Sequence, residues 1–109
     1  MSFLKRILGW KTHDKKLEGI WLSDMQDDAT KKSIGNVRLS FTKDGKLLYD
    51  IINSETIQKM NLIYWTSDGF LYSDQPSNPK QERTKYRFDN DGTLILDYRG
   101  DITRFKKQV

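Results

Sequence analysis

Val37, Leu39 and Phe41 alternate with Arg38, Ser40 and Thr42, and Leu47, Tyr49 and Ile51 carry the apolar series into the next stretch. A period of two puts each apolar set on one face of a half-buried strand. The same reading turns Tyr86 and Phe88 inward and Lys85 and Arg87 outward, with Leu94, Leu96 and Tyr98 inward beyond them. Residues 57–66 break the rule. Met60, Leu62 and Tyr64 form one apolar face and Ile63 and Trp65 the other, so both faces ask for cover. Further strands at 17–23, 69–73 and 102–107 complete a set of eight of ordinary length. Between them, residues 24–35 form a long polar connection with room for one helical turn. Residues 74–82, with Pro76 and Pro79, form the largest loop.

One phrase occurs three times in this pattern. It reads Phe41-Thr42-Lys43-Asp44-Gly45-Lys46-Leu47, then Trp65-Thr66-Ser67-Asp68-Gly69-Phe70-Leu71, then Phe88-Asp89-Asn90-Asp91-Gly92-Thr93-Leu94. Asp-Gly between apolar runs signals a hairpin, because Gly takes positive φ cheaply and Asp bonds its own backbone. A two-residue loop would set Phe41 opposite Leu48, and a three-residue loop closed by left-handed Gly would set it opposite Leu47. The recurring Leu favours the second, which pairs Trp65 with Leu71 and Phe88 with Leu94 as well. The intervals of 24 and 23 residues between the Asp-Gly copies each fit two strands and two turns. Three copies are too few for a propeller. The expected fold is all-β: a single antiparallel up-and-down meander of about eight strands, forming a small closed or half-closed barrel.

The N-terminus reads differently. Ser2 can cap a short amphipathic helix that Gly9 ends, with Phe3, Leu4, Ile7 and Leu8 on one face and Lys5 and Arg6 flanking it. Its apolar core is too short for a secretory signal. Two readings of it stand: a cover or plug for the domain, or an interfacial anchor in a membrane headgroup layer. Residues 11–16 read as a polar linker. The chain therefore divides at 1–16, helix and basic linker, and 17–109, the barrel domain.

Charge sharpens that division. Residues 1–16 carry five basic side chains against Asp14, all of the net +4, whereas residues 17–109 hold fourteen of each sign. The pI near 9.3 thus describes the tail, and no nucleic-acid partner is expected of a domain without net basic charge. A mean hydropathy of −0.77 is polar, but 12% aromatic residues argue against disorder. The chain has no Cys, which rules out a disulfide framework and suits a cytoplasmic protein, peripheral to the membrane at most. No run approaches the ~20 apolar residues of a spanning helix.

Gly19-Ile20-Trp21 at the head of the first strand, followed by the meander, resembles the short bacterial lipocalin-like (calycin-type) barrels. The resemblance implies that the indole of Trp21 closes one end of the barrel. It also implies that a basic residue of the last strand, Arg104 first and Arg99 second, lies across that indole, with Gly19 allowing close approach. The long true lipocalins carry a Thr-Asp-Tyr turn motif that this chain lacks. With Trp21 at the floor, counting strands sends all three Asp-Gly hairpins to the closed end and the longer connections to the mouth. Inward residues near the mouth are then the candidate ligand contacts: Tyr49, Ile51, Met60, Leu62, Tyr72, Tyr86 and Tyr98.

Catalytic chemistry finds no foothold. His13 is the only His and has no companion nucleophile. Nothing pairs Glu18, Glu55 or Glu82 in one cleft. Asp89-Asn90-Asp91-Gly92 begins like a calcium loop, but the position of the bidentate Glu is Tyr98. Asp24, Asp27 and Asp28 read as a solvated loop, so neither metal nor cofactor is expected. Two functions from different classes remain. One is a non-catalytic barrel binding an apolar or amphipathic small molecule. The other is an adaptor tethered to a membrane or partner protein through Phe3, Leu4, Lys5, Arg6, Ile7 and Leu8.

Overall fold

The computed structural model describes residues 12–108. Eight antiparallel strands follow one another around a closed barrel: β1 (Gly19–Ser23), β2 (Val37–Phe41), β3 (Lys46–Ile52), β4 (Ile57–Ser67), β5 (Phe70–Asp74), β6 (Glu82–Phe88), β7 (Leu94–Tyr98) and β8 (Asp101–Lys107). β8 closes on β1, with Trp21 opposite Lys107 and Ser23 opposite Phe105. Closure gives every strand a neighbour on both sides, although the mouth ends of β4 and β8 run past β5 and β1. The expected N-terminal helix at 2–9 lies outside the described residues.

Two of the repeated hairpins have the expected three-residue loop. Phe41 faces Leu47 and Phe88 faces Leu94, with Gly45 (φ 89°) and Gly92 (φ 85°) in the left-handed position. The third does not. Asp68 (φ 52°) and Gly69 (φ 80°) form a two-residue loop, and Trp65 pairs with Tyr72 instead of Leu71. Two successive positive φ values make the tight primed turn that matches strand twist. The one-residue change of register turns the partner of Trp65 from an inward to an outward residue.

The three Asp-Gly hairpins and the start of β1 share one end, the floor. The connection carrying α1 (Asp28–Ser33), the 53–56 turn, the 75–81 loop and the Arg99-Gly100 turn share the other, the mouth. Asp27 caps α1 by accepting from the Thr30 N–H and hydroxyl. The helix packs beside β8, where short β1 no longer covers that strand. There the buried Thr30 hydroxyl accepts the Arg104 backbone N–H (2.8 Å). A side chain thus takes over a ladder position that a longer β1 would have filled.

The core sits toward the floor. Leu17, Trp21, Phe41, Tyr64, Leu94 and Phe105 are buried there, with Phe88 packed at 5.8 Å from the indole. Residues 12–16, expected as a linker, are built into this floor. Thr12 accepts the Thr66 backbone N–H (2.9 Å), and the Asp14 N–H donates to the Thr66 hydroxyl (2.8 Å). Asp14 also caps a single 3-10 turn, Lys15–Leu17, which brings Leu17 beneath the barrel. Leu17 is fully buried, and its carbonyl accepts the indole N–H of Trp21 (2.8 Å).

The cation over Trp21 is not Arg104. Thr103 and Phe105 point inward, so Arg104 between them points out, where it meets Asp89 (3.5 Å). Arg99 sits at the opposite end over Tyr98. Lys107, two residues on from Phe105, lays its ammonium 5.4 Å from the indole. Its chain crosses Gly19 so closely that an added Cβ would stand 2.9 Å from Cε. At φ 122°, Gly19 occupies backbone space few other residues can hold.

Candidate functional site: the barrel interior

Above the Trp21 floor the inward side chains stop filling the barrel. A cavity of about 420 Å³ remains. Its wall has two characters. From β2, β3 and β4 come Leu39, Leu47, Tyr49, Met60 and Leu62; from β5, β6 and β8 come Ser73, Glu82, Thr84, Asp101 and Thr103. Leu71, Leu96 and Phe105 lie between, and Ile34, just after α1, closes one side. Exposed Lys80, Tyr98 and Asp101 stand at its outer end, so the cavity opens at the mouth.

Parity along the strands produces the contrast. Glu82 and Thr84 have the same inward parity as Tyr86 and Phe88 but lie nearer the mouth. Polar groups here are partly engaged already. Glu82 faces Lys80 at 3.4 Å, and Asp101 accepts the Ser33 hydroxyl (2.6 Å), which ties α1 to the rim. Burial pushes the pKa of the Tyr49 phenol above its ordinary value, so it presents a neutral O–H.

Four of the seven expected ligand contacts line this cavity: Tyr49, Met60, Leu62 and Tyr98. The other three lie elsewhere. Ile51 packs against the core opposite Val37. Tyr72 is on the outer face, stacked on Trp65 at 5.7 Å and 2°, because Leu71 and Ser73 on either side of it turn inward. Tyr86 points inward at the floor, donating to Asp14 (3.0 Å) and packing edge-on against Phe88. Its pKa is raised, chiefly by burial and then by the Asp14 carboxylate. Residues that sequence reasoning passed over, Ser73, Glu82, Thr84 and Thr103, carry the same period-two signal as their apolar neighbours. They were passed over because they are polar. Ile34 has no such signal.

No family model, curated protein or solved structure matches the chain. Fold and cavity therefore define its class by themselves: an eight-stranded antiparallel up-and-down barrel, plugged at one end and hollow toward the other.

Proposed function

We propose that the protein is a lipocalin-like, non-catalytic barrel that takes an amphipathic small molecule into its interior, tail against β2–β4 and polar end toward Glu82, Asp101 and Tyr98. The observation that carries this reading is the cavity of about 420 Å³, apolar on one wall and polar on the other. That volume falls within the range of small-molecule sites, roughly 300–1,000 Å³. The Gly19–Trp21–Lys107 arrangement supports the lipocalin-like assignment, with Lys107 in the part that the resemblance gave to Arg104. Titration with a fluorescent fatty-acid or bilin-like probe tests it. Saturable binding is expected, weakened about tenfold or more in Tyr49→Ala, where a ring worth ~1.5–3 kcal/mol of burial is lost. A similar probe response in wild type, Tyr49→Ala and Tyr98→Ala would remove the interior as the site.

A second reading, the adaptor, draws on a different observation. Ile20 (44% exposed), Leu48 (38%) and Ile63 (37%) lie on the outer faces of β1, β3 and β4. Together with residues 2–9 they would form the contact with a partner or membrane surface. No helix among the described residues is long and apolar enough to cross a membrane.

A further inference from the structure

A concavity of about 580 Å³ lies outside the barrel, between the 75–81 loop, the Arg99-Gly100 turn and the outer faces of β5, β6 and β7. Strand parity assembles it. Arg83, Lys85 and Arg87 all point outward from β6, and Phe70 pairs across with Lys85. Charge balance over residues 17–109 hides this outward basic run, which Glu82 at the start of β6 and Asp97 opposite Lys85 offset only in part.

Two features of the groove recur as a pair. The Arg83 guanidinium lies over the Phe70 ring at 4.4 Å, and the Arg99 guanidinium lies over the Tyr98 ring at 5.3 Å. Lys80 and Lys85 stand in the same groove. Among the described residues, Arg83, Lys85 and Arg99 form no ion pair, and the Lys80–Glu82 contact is on the surface. The groove's other carboxylate, Asp97, accepts the Gly100 N–H (2.8 Å), which ties it to the hairpin. What results is a pair of ring-backed guanidinium planes with ammonium groups beside them. Flat heteroaromatic rings stack on guanidinium planes, and phosphates take lysine as a point charge.

We propose that this groove binds a nucleotide unit, a phosphate joined to a flat base, either free or within a single strand. The base stacks on Arg83 or Arg99, and Lys80 and Lys85 neutralise the phosphate. This site lies outside the barrel but adjoins the mouth of the interior cavity, sharing Lys80, Glu82 and Tyr98 with its lining.

The test is fluorescence anisotropy of the full chain with a labelled oligothymidylate of about eight nucleotides, a length typical of single-strand sites, and with unlabelled adenosine monophosphate as competitor. Arg83→Ala/Arg99→Ala should weaken binding roughly tenfold or more. Lys31→Ala/Lys32→Ala on α1 removes the same charge elsewhere and should change it less than about twofold. Phe70→Leu keeps every charge and should still weaken binding, a response that charge alone would not give. Displacement by adenosine monophosphate assigns the free nucleotide, and its absence assigns the strand. Equal losses in the two double variants, equal competition by polyglutamate, or no saturable binding would overturn the proposal.

Discussion

Trp21 shows how one residue organises an end of the barrel. Its ring is 2% exposed, bonds the Leu17 carbonyl, packs on Phe88 and is roofed by Lys107. Trp21→Ala should cost about 3–5 kcal/mol, as for other buried large aromatics, read as a shift of the urea midpoint. Gly19→Ala should cost about 1–3 kcal/mol, mostly from backbone strain, since the Lys107 tip can move aside. Arg104→Ala should cost only about 0–1 kcal/mol, because its partner Asp89 meets it at the surface. If Arg104→Ala proved as damaging as Trp21→Ala, the assignment of the cation to Lys107 would be wrong. Gly-x-Trp was legible in the sequence as a floor motif. Its cation was not, because choosing it by residue type ignored parity: Arg104 is odd relative to Phe105, and Lys107 is even. Tyr72 went astray for the same reason.

Hairpins and one helix set the behaviour of the elements. Asp-Gly announced three turns and where they fall, and the recurring Leu chose the right loop length for two of them. Only the register shows that Asp68-Gly69 takes the two-residue form. The helical turn at Asp28–Ser33 was foreseen in position only. Its role depends on Thr30, a polar residue whose partner is 74 positions away, beyond any local pattern. Thr30→Val keeps the shape and leaves the Arg104 N–H unpaired, so it should destabilise the barrel by about 1–3 kcal/mol. A pH effect belongs to the same scale. Asp91 is held well below the usual carboxylate range, first by the Asp89 side chain and then by Thr93 and Lys106. Asp44 is lowered by Thr42, and Asp27 by Thr30. A carboxyl lowered in the folded state binds more protons unfolded. Its stabilisation is therefore present above about pH 4 and lost as pH falls further. Lys106, raised mainly by Asp91, behaves oppositely: its contribution is present below about pH 10 and lost as pH rises through its folded value. Thermal melts should fall steadily from pH 5 toward pH 2, and Asp91→Asn should flatten part of that decline. An unchanged slope would mean that the hairpin carboxylates are not coupled to folding.

At the scale of the whole molecule, the two ends of the barrel have different work. Tight turns and the 3-10 turn close the floor, whereas longer connections and α1 frame the mouth, where a rigid scaffold leaves room for recognition. The two ends were readable from Trp21 at the floor and a count of strands and turns from it. The floor's polar component was not, because Thr12, His13 and Asp14 act through hydrogen bonds, and hydrophobic periodicity is blind to them. His13 meets Glu18 at 2.8 Å and lies against Tyr64 at 4.8 Å, and Asp14 receives the Tyr86 hydroxyl. Residues 12–14 therefore contact the barrel, and two truncations separate their contribution from that of the residues before them. Removing residues 1–11 leaves every one of these contacts in place, so the barrel should remain folded with a melting temperature close to that of the full chain. It also removes Lys5, Arg6 and Lys11 together with Phe3, Leu4, Ile7 and Leu8, so any binding to anionic vesicles should disappear. Removing residues 1–16 takes away Asp14, its links to Thr66 and Tyr86, and the cap of the turn that carries Leu17. At about 1 kcal/mol per hydrogen bond, the loss should be roughly 2–4 kcal/mol. For a domain of this size that is a fall on the order of 10–20 °C. If the shorter truncation already unfolds the barrel, residues 1–11 belong to the folding unit and the tether is not separable. If the longer one melts like the full chain, the floor does not depend on residues 12–16, and Trp21 with its hairpins closes the barrel unaided.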